Sequence, residues 1–116
     1  MKIGYASKKL HKACTQEKDA KKHLSGSNVK PKHLFQRLAE LAAFENLGQV
    51  PFQEPPLHFH PLRGDRAGEY AVTIRDLWRI TFTPAGEFER KPDGSALEES
   101  VTEIVVRFTG DYHSGS

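Results

Sequence analysis

From Tyr70 to Phe108, bulky apolar residues fall on alternate positions in three short runs: Tyr70, Val72 and Ile74; Trp78, Ile80 and Phe82; Ile104, Val106 and Phe108. Side chains alternate between faces along a strand, so this spacing requires three half-buried β-strands. Asp76-Leu77 separates the first two runs and predicts a tight hairpin. The opposite phase carries Thr73, Arg75, Arg79, Thr81 and Arg107. Upstream, Leu57 and Phe59 join the inward set, which turns His58 and His60 outward. The sheet thus has an apolar face that needs a cover, and a polar face expected to hold His60, Arg75, Arg79 and Arg107. Arg63 lies in the turn 61–65 at the edge of that face, and Arg66 follows it.

The cover must come from the N-terminal half. Met1 to Ala6 alternates weakly and reads as a short strand. Ser7 then suits a helix N-cap. Leu10, Ala13, Cys14, Ala20 and Leu24 follow on a helical stripe with lysines on the other side, and a break near Thr15 is compatible with it. Ser25-Gly26-Ser27 ends this element. Pro31 suits the first turn of a second helix, whose buried row is Leu34, Leu38 and Leu41, widened by Phe35 and Ala42. It is expected to stop between Asn46 and Gly48. The prolines in 48–56 forbid a helix and predict an extended linker. Residues 84–100 read as a polar loop or hairpin extension, with Asp93-Gly94 as its turn pair. The expectation is an α+β fold: two N-terminal helices packed on one face of a small antiparallel β-sheet. It forms a single domain over 1–113, with 114–116 as a tail.

Composition narrows the function classes. A chain of 116 residues buries a core without staples. Cys14 is the one cysteine, which excludes an internal disulfide or a CxxC zinc site. No run approaches the ~20 apolar residues of a membrane span, and the N-terminus lacks a hydrophobic signal core, so a soluble cytoplasmic protein is expected. The net charge is only +2. Its distribution matters more: lysines crowd the first third, whereas from Arg37 onward the basic residues are nearly all arginine. Arginine grips phosphate through a rigid bidentate fork. Several arginines gathered on one sheet face repel one another and suggest an anionic partner, unless Glu69, Asp76 and Asp111 neutralise them as ordinary surface pairs.

Histidine and arginine together suit RNA cleavage without a metal. A base takes the ribose 2′-OH proton, cations hold the charge on the phosphorane, and an acid protonates the leaving oxygen. Tyr112 and His113 follow the last strand and can fold back over the face. A zinc site would need His58, His60 and His113 amid arginines that repel a cation, so no metal and no cofactor is expected. His11, His23 and His33 read as helix-surface residues. The chain has no GxSxG elbow and no glycine-rich phosphate loop.

His60-Pro61-Leu62-Arg63-Gly64-Asp65, then Gly68, Trp78-Arg79-Ile80-Thr81-Phe82 and Asp111-Tyr112-His113 resemble the HigB toxins of the RelE superfamily of toxin–antitoxin systems. The resemblance runs from about Leu57 to His113. It implies a compact α+β fold and a ribosome-dependent endonuclease that cuts mRNA in the 30S A site. The implied partners are the ribosome with its mRNA and a HigA-type helix-turn-helix antitoxin. Operator DNA would be met only through that antitoxin, and no membrane partner is implied. By motif position, His60, Arg63, Arg75, Arg79, Tyr112 and His113 fall on the family's active-site positions. Arg107, His58 and Arg66 are the expected RNA contacts. The family usually has lysine where this chain has Arg63, and arginine clamps phosphate without relaying protons. The rival expectations are a ParE-type toxin that inhibits gyrase by binding it, and a catalytically weakened RNA- or antitoxin-binding module.

Overall fold

The computed structural model describes residues 1–111. Its elements run β1 (Lys2–Tyr5), α1 (Lys8–Thr15), α2 (Glu17–His23), α3 (Pro31–Ala43), β2 (His60–Pro61), β3 (Tyr70–Arg75), β4 (Trp78–Pro84) and β5 (Glu103–Gly110). The described strands form one sheet in the order β1-β5-β4-β3-β2. This is an α+β fold in which the helices follow β1 and precede the other four strands of the sheet, as in a RelE-like arrangement. Among the described residues, no helix is long and apolar enough to cross a membrane.

The Ser7 hydroxyl accepts from Leu10 N at 3.1 Å and starts α1. At its end the Thr15 hydroxyl donates to the His11 carbonyl, and Gln16 turns extended (φ −122, ψ 127), so the stripe breaks into α1 and α2. Glu17 and Asp19 then sit at the positive end of α2, with Lys21, Lys22 and His23 at its negative end. Helix α3 ends at Ala43, short of the expected Asn46–Gly48 boundary. Phe44 is extended, and the Met1 nitrogen donates to the carbonyls of Ala42 and Phe44. Leaving the helix there lets Leu47 bury completely, with its N–H on the Val101 carbonyl at 3.0 Å.

Leu10, Leu34, Leu38 and Leu41 close over Val72, Ile80, Phe82, Ile104 and Val106. Phe59, Tyr70 and Phe82 form a stacked aromatic set with centroids 5.4–6.3 Å apart. Burying each such side chain contributes roughly 1.5–3 kcal/mol.

Three expectations about the sheet need correction. The sheet is mixed, because β1 pairs parallel with β5 (Ile3 to Ile104, Tyr5 to Val106). The Leu57–His60 strand shrinks to two paired residues, since His58 takes a left-handed backbone (φ 48). Two β-bulges also shift the alternation. Thr73 pairs with Arg79 but Arg75 pairs with Trp78, and Thr81 pairs with Phe108 while Phe82 pairs with Val106. Each bulge inserts one residue and reverses the faces beyond it. Phe108 therefore leaves the core face. Its ring lies over Gly110, where a Cβ would meet it at 2.8 Å. Thr109 takes the buried phase instead.

Candidate active site

On the face away from the helices, cross-strand pairing sets His60, Ala71, Thr81 and Phe108 in one row, and Thr73, Arg79 and Gly110 in the next. His60 and Arg79 thus share this face on strands separated by β3. Their polar phase is the one the alternation predicts.

His60 is held by the backbone two residues earlier. Its Nδ1 lies 2.7 Å from the His58 carbonyl. A carbonyl only accepts, so Nδ1 carries the hydrogen, and Nε2 of the neutral ring keeps its lone pair. The left-handed conformation of His58 helps aim that carbonyl. The His58 side chain is exposed, and the residue meets His60 through its backbone carbonyl.

Arg79 folds back over the hairpin. Its Nη1 donates to the Asp76 carbonyl at 2.8 Å and the Trp78 carbonyl at 3.3 Å. Its Nε is buried and has no hydrogen-bond acceptor among the described residues. A buried donor left unpaired costs about 1–3 kcal/mol, which marks this guanidinium as a place where an incoming acceptor gains most. The Thr81 hydroxyl, in the neighbouring row, is likewise buried without a partner among the described residues.

The other candidates divide. Arg63 is exposed at the start of the 64–66 turn, on the connection leaving His60. Arg66 pairs with Glu69 at 3.5 Å and lies 5.8 Å from the Phe108 ring centre. Arg107 is exposed and donates from Nε to Thr83 Oγ1 at 3.1 Å. Arg75 is not on this face: the bulge turns it to the helix side, where Nη1 lies 3.3 Å from His33 Nε2. His33 Nδ1 accepts from Lys30 N at 3.0 Å, so the neutral ring carries its hydrogen on Nε2. The Arg75 contact therefore sets two donors together. Partial burial, and after it the charge of Arg75, lower the His33 pKa. Tyr112 and His113 lie outside the described residues and follow Asp111 directly after β5.

No protein-family model matches the chain. Over 46 residues, 40% of its length, the chain is 41% identical to a protein named endoribonuclease HigB from Proteus vulgaris. The match covers 48% of that protein, so the chain spans about half the length of this relative.

Two residues near this face escaped sequence reading. His23, expected at the helix surface, is partly buried: its Nε2 donates to the Thr109 carbonyl at 2.9 Å and its ring meets the edge of Trp78. It pins the end of β5 beside Arg79. Arg90, in the loop before the Asp93-Gly94 turn, stacks 5.0 Å from the Phe88 ring centre. Neither has a spacing signal, because each acts across the fold. Among the described residues no three His, Cys, Asp or Glu side chains gather as a metal site. Cys14 is buried, and burial raises its thiol pKa to about 12, which makes it unreactive.

Proposed function

We propose that this chain is the toxin of a type II toxin–antitoxin pair. It is a HigB-like endoribonuclease that cuts translated mRNA in the ribosomal A site without a metal ion, and a HigA-type helix-turn-helix antitoxin neutralises it. One observation carries this reading: a histidine with a fixed tautomer shares one sheet face with an arginine whose buried Nε has no partner among the described residues. The partial similarity to a HigB endoribonuclease supports the same assignment.

His60 Nε2 takes the proton of the ribose 2′-OH. The 2′-oxygen bonds to the adjacent phosphorus, and the bond from phosphorus to the 5′-oxygen breaks. Arg79 and Arg63 offset the charge on the phosphorane, which favours the transition state over the ground state. His113 returns a proton to the 5′-oxygen, and Tyr112 stacks on a base. The products are a 2′,3′-cyclic phosphate and a 5′-hydroxyl. Arg75 takes no part, because it faces the helices.

Induced expression tests the class of activity. Growth should arrest while gyrase continues to supercoil DNA. Arrest with gyrase inhibited and messages intact would select the ParE-type reading instead. Normal growth despite folded protein would remove both.

A further inference from the structure

Beyond His60 the polar face runs into a cleft of about 1020 Å3. One wall is the turn that carries Arg66, and the other is the loop that carries Phe88 and Arg90. That loop closes on itself: Arg90 bridges to Ala96, and Gly94 takes a left-handed backbone (φ 89) at the tip. Phe108, turned outward by the β5 bulge, lies at the floor. On one wall the Arg66 guanidinium sits 5.8 Å from the Phe108 ring centre; on the other, Arg90 sits 5.0 Å from that of Phe88.

The acidic residues of the cleft are already engaged. Glu69 pairs with Arg66, and Asp93 accepts from Ser95 N and Oγ within its own turn. Among the described residues, neither Arg90 nor Arg107 has a carboxylate within ion-pair distance. Among the described residues they donate to neutral oxygens, Arg90 to the Gly94 carbonyl and Arg107 to the Thr83 hydroxyl.

We propose that this cleft seats the short single-stranded RNA segment next to the cleaved bond. Bases stack on the two guanidinium–ring layers, and Arg90 and Arg107 meet the phosphates. The proposal rests on the nuclease reading above and adds where the neighbouring nucleotides lie. A guanidinium over an aromatic ring on each wall suits nucleobases, whereas an acidic polypeptide would use the charge and leave the rings idle. The position fits as well. Thr83 lies four residues beyond Arg79 on β4, about 13 Å at the ~3.3 Å rise of a strand, so one strand of RNA reaches both.

The test uses the full chain and a short RNA that is 2′-O-methylated throughout, to block cleavage, and carries one 2-aminopurine. Charge reversal at Arg90→Glu with Arg107→Glu should raise Kd at least about tenfold and lower the slope of log affinity against log salt by about 1.4, or ~0.7 per lost contact. Both side chains are exposed and each gives up one hydrogen bond to a neutral oxygen, so melting should fall only slightly. Arg90→Lys should keep the salt slope while the 2-aminopurine quenching falls. Three results would overturn the cleft assignment: an unchanged Kd in the double variant, no RNA binding by the wild type, or displacement of the RNA by oligoglutamate of equal charge at equal concentration. Growth arrest by the wild type alongside any of these would leave the nuclease reading standing. RNA binding that depends on Arg90 and Arg107, without growth arrest, would remove the nuclease reading alone.

Discussion

A carbonyl oxygen can only accept, so the His58 carbonyl fixes the His60 hydrogen on Nδ1 and leaves on Nε2 the lone pair that the proposed mechanism uses as its base. His60→Ala should lower cleavage by about 10²–10⁴-fold, the usual weight of a general base, with little change in melting temperature. Arg79→Ala should cost ~2.7–4 kcal/mol in the transition state, as for one lost oxyanion donor, while its stability should hardly change, because the loss of two bonds to turn carbonyls is offset by removal of a buried donor unpaired among the described residues. Cleavage rates set beside melting curves separate the two effects. The buried Thr81 hydroxyl gives an opposite expectation. Thr81→Val keeps the shape and removes a polar group unpaired among the described residues, so the domain should gain roughly 1 kcal/mol on thermal melting. His33 supplies a pH test. Its folded pKa lies below the ordinary value of 6.5, so the unfolded chain takes up the proton more readily. The associated stability is present above that ordinary value and is lost as pH falls through the folded pKa. Arg75→Gln should raise the His33 pKa, read by NMR titration of the ring. An unmoved pKa would show that Arg75 does not face the helix side.

At the scale of elements, alternation placed most of the sheet. Tyr70, Val72 and Ile74 on β3, Ile80 and Phe82 on β4, and Ile104 and Val106 on β5 are all buried, and Asp76-Leu77 makes the hairpin. The Ser7 cap and the break after Thr15 were legible because caps and breaks are written in local residue types. The bulges were not. A bulge adds one residue without a compositional mark, yet it moved Arg75 to the helix side and Phe108 to the polar face. The parallel partner of β1 was equally hidden, since four residues with weak alternation do not specify a direction. The extra residues lie on β3 and β5, so β4 keeps its alternation through Arg79, and His60 pairs directly with Ala71; the placement of both therefore survived. Core and margin should differ on mutation. Phe82→Ala should cost about 3–5 kcal/mol, as for a fully buried aromatic. Trp78 is only half-buried against His23, so Trp78→Ala should cost roughly half as much in a denaturant titration.

Over the whole molecule, the two faces of the sheet divide the labour. The helices and their leucines carry the stability on one side, and the imidazole, the guanidiniums and the cleft lie on the other. The exposed lysines of α1 and α2 add a diffuse positive field that favours approach to a polyanion and weakens with salt. A 2′-OH attack on translated mRNA leaves its signature in the chemistry of the cut ends. A message under translation is recovered after brief induction, its cut sites are mapped by primer extension, and the fragment ends are identified. Cuts confined to translated stretches, each leaving a 2′,3′-cyclic phosphate and a 5′-hydroxyl, are expected. Intact messages, or fragments ending in a 3′-hydroxyl and a 5′-phosphate, would contradict it.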